Sequence, residues 1–379
     1  MLARAVEQGA SDIHLKVGRP PMFRRDGVLY PFENWPALAP KDLESVLSAV
    51  TLQSPQRLAS FRETGELDIA YANPALPRFR VNGYRQRDAT SFAFRLIPKE
   101  VPGFDALRLP PGVRMLAEEP RGLVLATGAT GVGKTTTLAA MIDHINSQYA
   151  KHIVTIEDPV EFLHRDKISI INQREVGFDT PSFHEALRRL PRQDPDVILI
   201  GELRDPESAE VALQAADSGH FVFSTMHTMG AAETIDRFLD FFDGPRQVQA
   251  RSVLASVLRG VVSQRLLPRA GGGRVAAVEV LVKNARIAHM IRDQRTEEIP
   301  PAIAEGQYLH MQTFDQALIE LVLAGDVEQD LAADAATNRH DFLIALDYAL
   351  KARAVEMGTN GSPESKALSD LPPLRSVES

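Results

Sequence analysis

Residues 123–127 read Leu-Val-Leu-Ala-Thr with no charged side chain, the pattern of a short strand buried on both faces. Similar brief apolar runs fall at 152–156, 197–201 and 221–225, and each stops at polar residues. Between them the period changes: Leu138, Met141, Ile142 and Ile145 stand three and four apart, which predicts an amphipathic helix over 135–147. Short apolar strands alternating with helical stretches from 113 to about 270 predict an α/β fold, a mostly parallel sheet with helices on both faces. Ahead of it, residues 1–98 show the period-two alternation of antiparallel strands at 12–17, 66–71, 78–85 and 91–97. A first helix ending near Gly9, helices at 41–50 and 53–63, and Asp26-Gly27 as a hairpin turn complete a small α+β domain. Pro98, Pro102, Gly103, Pro110, Pro111 and Gly112 predict a linker over 99–112 that acts as a hinge. Beyond the sheet, 231–242 and 245–267 read as helices and 274–282 as a strand, with short helices to about 325. A last helix over 341–357 would present Leu343, Leu346, Leu350 and Val355, closing a second domain of 113–357. Gly, Ser, Pro and charge from 358 to 379 predict a disordered tail.

The strand at 123–127 runs into Gly128, Ala129, Thr130, Gly131, Val132, Gly133, Lys134 and Thr135, which fit the phosphate-loop pattern G-x-x-x-x-G-K-[ST]. A phosphate needs several backbone N–H groups turned inward around it, and glycines let the chain wrap that tightly. Lys134 would reach the β- and γ-phosphates and Thr135 would ligate Mg²⁺, with Thr136 in the same first helical turn. A glycine-rich turn that binds nothing is the plain alternative. Strand before and helix after argue against it, because that order aims the helix dipole at the ligand.

Composition narrows the partners. The net charge is −8 and the pI 5.7, so no global basic field holds nucleic acid. There is no cysteine, which excludes disulfides and thiolate metal sites. Neither a signal-peptide core nor an apolar run of membrane-spanning length is present, so the expected location is the cytosol, or a membrane reached through a partner.

Chemistry collects at the strand ends. Glu157-Asp158-Pro159-Val160-Glu161 puts three carboxylates in five residues, able to orient an attacking water or complete a metal's outer shell, or else simply an acidic turn. Residues 194–205 form an apolar strand ending in Gly201-Glu202, the layout of a Walker B strand with glycine at the usual aspartate position. Glu202 would then serve the metal, most readily through water. His220 and His227 bracket the run at 221–225; a lone histidine is more often a structural hydrogen-bonder than a catalyst. Arg78, Arg80, Arg85, Arg87 and Arg95 mark two strands of the first domain, where arginines are commonly just solvated.

In order and at family spacing, 128–137, 155–164, 194–205 and 218–228 resemble the Walker A, Asp, Walker B and His boxes of secretion-superfamily ATPases. Residues 9–27, 78–98 and 311–318 make the chain most similar to the PilT family of type IV pilus retraction ATPases, over about 1–325. The resemblance implies a RecA-like core behind a PAS-like N-terminal domain, ATP and Mg²⁺, and a homohexamer. It also implies an inner-membrane platform partner at the cytoplasmic base of the pilus and a role in twitching motility. By position, Lys134 and Thr135 match the phosphate and Mg²⁺ ligands, Glu161 the catalytic glutamate and Glu202 the Walker B glutamate. His220 and His227 match the paired histidines that link nucleotide state to subunit movement, and Arg80 and Arg95 the phosphate-contacting arginines.

Two departures stand out: Asp88 where the family carries an arginine, with Arg87 one place earlier, and 286–293, which keeps the end of the family's retraction motif but alters its middle. Pilus assembly ATPases usually add an N-terminal domain and a four-cysteine zinc site; this chain is short and has no cysteine. A type IV secretion ATPase shares the boxes. A non-hydrolysing regulator is opposed by intact Lys134, Glu161 and Glu202, and a nucleic-acid translocase by the acidic pI.

Overall fold

The computed structural model describes residues 1–25, 27–97 and 100–356. Asp26 of the expected turn, Pro98 beside the expected linker, and the expected tail at 358–379 lie outside the described residues.

In the first domain α1 (Leu2–Glu7) leads to β1 (Asp12–Lys16), β2 (Met22–Arg25) and β3 (Val28–Pro31). Then come α2 (Pro40–Val50), α3 (Pro55–Thr64), β4 (Glu66–Tyr71), β5 (Phe79–Gln86) and β6 (Ala89–Leu96). The strands make one antiparallel sheet in the order β3-β2-β1-β6-β5-β4. Alternation sets its two faces: Ile13, Leu15, Phe79, Val81, Phe92 and Phe94 point into a core that α2 closes with Leu43 and Leu47. The other face carries polar side chains, and there Arg80, Arg95 and Asp12 are register neighbours across three strands.

Within and after the stretch that reads as a linker, α4 (Phe104–Leu107) and α5 (Pro111–Ala117) form. Pro111 opens α5, a position where its missing N–H costs nothing, and Phe104, Val113 and Leu116 are buried in the second domain's core.

That domain runs β7 (Gly122–Thr127), α6 (Lys134–Gln148), β8 (His152–Glu157), β9 (Ile170–Glu175), α7 (Phe183–Arg189) and β10 (Val197–Ile200). It continues with α8 (Pro206–Asp217), β11 (Phe221–Met226), α9 (Ala231–Leu239), α10 (Gly244–Val257), β12 (Leu258–Pro268) and β13 (Arg274–Val282). The sheet order is β13-β12-β7-β11-β10-β8-β9, parallel except for β13. Every residue of β7, β10 and β11 is buried, as strands covered on both faces require.

The structure corrects the helix expected over 245–267: it stops at Val257, and Leu258–Pro268 is a strand between β7 and β13. Gly260 and the β-branched pair Val261-Val262 disfavour helix there. Gly260 also packs so closely that a Cβ would lie 2.5 Å from the Leu281 carbonyl oxygen. β9, the sheet's edge, was likewise not legible as a strand in the sequence.

After β13 come α11 (Ala285–Arg292), α12 (Ile299–Ala304), α13 (Phe314–Leu323), α14 (Gln329–Ala335) and α15 (Arg339–Glu356). The apolar stripe expected on α15 is also corrected. Phe342 and Leu346 are buried against Phe314 and Leu318, whereas Leu350 is 45% and Val355 80% exposed. α13 ends at Leu323, whose carbonyl accepts from the Arg353 guanidinium, so the far end of α15 is met by a polar contact. Among the described residues no helix is long and apolar enough to cross a membrane.

Candidate active site

β7 ends at Thr127, and the chain turns through 128–133 before α6 begins at Lys134. A Cβ on Gly128, at φ 135°, would lie 2.4 Å from the Gln264 carbonyl oxygen, so only glycine fits. Gly133 takes φ 96° directly ahead of the helix, leaving the first N–H groups of α6 free to meet an anion. The Lys134 ammonium folds back over the loop and donates to the carbonyls of Gly128 at 2.7 Å and Ala129 at 3.0 Å. Burial lowers the Lys134 pKa from the ordinary lysine value, against the pull of Glu202 and Glu161.

The loop forms one wall of a cleft of about 770 Å³. Thr130, Gly131, Val132, Gly133, Lys134, Thr135 and Thr136 line it. The opposite wall comes from three parallel strands that end side by side: β8 brings Glu157, Asp158 and Glu161, β10 brings Glu202, and β11 brings His227. Threonine and serine hydroxyls hold these ends in place. Ser224 donates to the Ile200 carbonyl at 2.6 Å and Thr225 to the Gly201 carbonyl at 2.7 Å.

Glu202, His227 and Lys134 form a chain of contacts. His227 Nε2 lies 2.9 Å from Glu202 Oε1, and its Nδ1 lies 3.4 Å from Lys134 Nζ. An ammonium can only donate, so facing Lys134 makes Nδ1 the acceptor and leaves Nε2–H to donate to Glu202. The second Glu202 oxygen accepts from Arg204 at 2.7 Å.

The three carboxylates at 157–161 divide by environment. Asp158 and Glu161 are exposed, whereas Glu157 is 6% exposed and accepts from Thr155 Oγ1 at 2.6 Å and Gln173 Nε2 at 3.2 Å. Burial raises the Glu157 pKa, opposed by these donors and by the Glu161 backbone.

The remaining residues singled out in the sequence lie elsewhere. His220 directly precedes β11 and faces the Ala215 carbonyl and the Ser218 hydroxyl, each at 3.0 Å. At ~3.3 Å per residue it stands roughly 20 Å along the strand from His227, so the two histidines do not meet within one chain. Arg80 grips Asp68 through two bonds of 3.1 and 2.6 Å, and Arg95, 72% exposed, pairs with Asp12 at 2.9 Å. Neither lines the cleft of its own chain. Gln264 on β12, Arg269 just after it and Arg274 at the start of β13 do, as does Arg204. Reading 245–267 as helix hid Gln264, and the polar Gln264-Arg265 pair inside an apolar run was the signal available.

A mostly parallel sheet that sets a phosphate loop opposite an acidic strand end defines a P-loop nucleotide-binding domain. A model of the type II/IV secretion system protein family matches residues 1–330. The chain is 42% identical to the type IV pilus retraction ATPase PilT of Pseudomonas aeruginosa over 342 residues, 90% of this chain and 98% of that one. It is also 42% identical to a twitching motility protein of Neisseria gonorrhoeae over 306 residues, covering 80% and 81%. The crystal structure of the pilus retraction motor PilT with bound ADP matches with a TM-score of 0.84, covering 89% of this chain and 96% of that one. The chain therefore belongs to the type II/IV secretion system protein family, in its PilT branch.

Proposed function

We propose that this chain is an ATP-hydrolysing motor that retracts type IV pili, acting as an Mg²⁺-dependent homohexamer against an inner-membrane platform protein at the cytoplasmic base of the pilus. One observation carries the reading. In a chain 42% identical to a pilus retraction ATPase, His227 links Lys134 to Glu202 across a cleft that Glu161 also lines.

The chemistry follows from that arrangement. Bound ATP would take Lys134 from the Gly128 and Ala129 carbonyls, its phosphates seated on the N–H groups that open α6. Among the described residues no group of three or more His, Asp or Glu side chains is disposed to hold a metal. A nucleotide-bound Mg²⁺ needs none, since phosphate oxygens and water fill most of its shell. Thr135 would hold it directly and Glu202 through water, because both Glu202 oxygens already have partners; when bound, it neutralises charge on the β- and γ-phosphates. Glu161, exposed in the cleft, orients the attacking water. Arg80 and Arg95 add positive charge from the N-terminal domain of the same or a neighbouring subunit, and His220 works with His227 to carry nucleotide state between subunits.

Phosphate release and calorimetry on two variants test the enzyme. Glu161→Gln should bind ATP within about twofold of wild type and lose turnover by ~100-fold or more, whereas Lys134→Ala should lose ATP affinity. Undiminished turnover in Glu161→Gln removes that residue from the role. Cells lacking the chain should carry excess pili and fail to twitch; bald cells would make it an assembly motor.

A further inference from the structure

The loop that carries Glu161 is held from β9. Gln173 Nε2 donates to the Phe162 carbonyl at 2.8 Å, and Glu175 Oε2 accepts from the Val160 N–H at 3.2 Å. Val160 precedes Glu161 directly, so this bond restrains the peptide that aims the glutamate. The Glu175 side chain is 8% exposed, and the same Oε2 also accepts from Arg78 Nη2 at 3.3 Å. Arg78 belongs to the N-terminal domain, immediately ahead of β5. One buried carboxylate oxygen thus joins the first domain to the loop of the second.

Neighbouring contacts show that the two domains meet here. The Arg57 guanidinium donates to the Gly177 carbonyl and stacks on the Phe178 ring with its carbon 5.4 Å from the centroid. Arg80, one strand position beyond Phe79, is close enough to feel the charges of Asp158 and Glu175. The position of the N-terminal domain is therefore registered at the loop beside the cleft, not at a remote surface.

We propose that Glu175 is a positioning residue: by bridging Arg78 and the Val160 N–H, it makes the aim of Glu161 depend on where the N-terminal domain sits. The inference rests on the reading of Glu161 as the residue that orients water. With Arg78 docked, the Glu175 carboxylate is fixed and the loop with it. With Arg78 withdrawn, a buried carboxylate without its cation turns toward solvent and releases the Val160 N–H, so the site holds nucleotide without cleaving it. Domain closure then gates the chemical step more than binding.

The test is steady-state turnover and ATP affinity on the full-length chain carrying Arg78→Gln, Glu175→Gln, both together, and the conservative Arg78→Lys. Each single glutamine variant should lower kcat by about 10- to 100-fold, the cost of a catalytic group aimed slightly wrong, with ATP affinity within about twofold. The double variant should be no worse than the worse single one, because both remove the same link. Arg78→Lys, which keeps a cation facing the Glu175 carboxylate, should retain at least part of the turnover that Arg78→Gln loses. Single glutamine variants at wild-type turnover, or single losses that multiply in the double variant, overturn the proposal. Arg78→Gln lies at the domain junction rather than in the core, and decides the matter even if Glu175→Gln does not fold. If Glu161→Gln is inactive while these variants are unaffected, only this inference fails; if Glu161→Gln retains turnover, the reading beneath it fails as well.

Discussion

His164 shows how a single side chain can carry a pH dependence unrelated to catalysis. Its backbone N–H donates to Gln173 Oε1 at 2.8 Å, and its Nδ1 is buried with no partner. Desolvation pushes its pKa down from 6.5 to about 4, with Asp143 pulling it up and Lys167 pushing it further down. The unfolded chain therefore binds a proton between these two pH values and the folded chain does not. Stability is full above pH 6.5 and falls as the pH drops toward 4. The loss between pH 7 and pH 5 should be about 2 kcal/mol from this group alone. Buried Glu157, whose raised pKa acts in the opposite direction, contributes to the total, so the comparison must be with a variant. In urea unfolding at the two pH values, His164→Gln should lose about 2 kcal/mol less than wild type. Identical losses would mean that the imidazole is free to charge in the folded chain.

Among the elements, the β5–β6 hairpin turns in two residues, Arg87 at φ 48° and Asp88 at φ 57°, between the paired Gln86 and Ala89. Both are left-handed, the conformation of a type I′ turn, which suits Asn-Gly and strains an arginine. Arg87→Asn with Asp88→Gly should therefore stabilise the first domain by about 1 kcal/mol and raise its melting temperature by several degrees. An unchanged melting temperature would mean that the turn carries no strain. This hairpin is also where the sequence was easiest to read, since alternation of Phe, Val and polar residues specifies both strands without outside help. β7, α6 and β11 were equally plain, because buried strands and an amphipathic helix follow from local composition. β12 was not. Val253, Leu254, Val257, Val261 and Val262 continue a helical spacing, and what ends the helix at Val257 is a pair of strand partners that come from 123–127 and 274–282. Because Gln264 backs the phosphate loop from that strand, the same misreading concealed one side of the site. Lys134, Glu161 and Glu202 could be named from motif spacing; that His227 stands between Lys134 and Glu202 depends on β7, β10 and β11 ending together, a property of the sheet alone.

At the level of the whole molecule, Arg80 and Arg95 of the first domain reach the surface, open to a neighbouring subunit in a ring. Arg95 is 72% exposed and, among the described residues, its side chain pairs with Asp12, a surface pair worth at most ~1 kcal/mol, so little opposes its transfer to a phosphate. It does not line the cleft of its own chain. If it serves a neighbour's cleft in a ring, a complete site takes its loop, Glu161 and Glu202 from one subunit and its Arg95 from the next. Arg95→Ala and Glu161→Gln should then each inactivate a pure ring, yet damage different halves of each site. Co-expressed in equal amounts and allowed to assemble at random, the two should recover roughly one quarter of wild-type turnover. Half of all clefts keep Glu161, and half of those face a neighbour that keeps Arg95. Phosphate release by the purified mixed ring measures this directly. If Arg95 acts on its own chain, every subunit is defective in one part or the other and mixing restores nothing. The same experiment with His220→Ala in place of Arg95→Ala asks whether the histidine roughly 20 Å from His227 along β11 also belongs to the neighbour's site. Recovery there would assign that end of the strand to a subunit contact, while its absence would confine His220 to its bonds with Ala215 and Ser218.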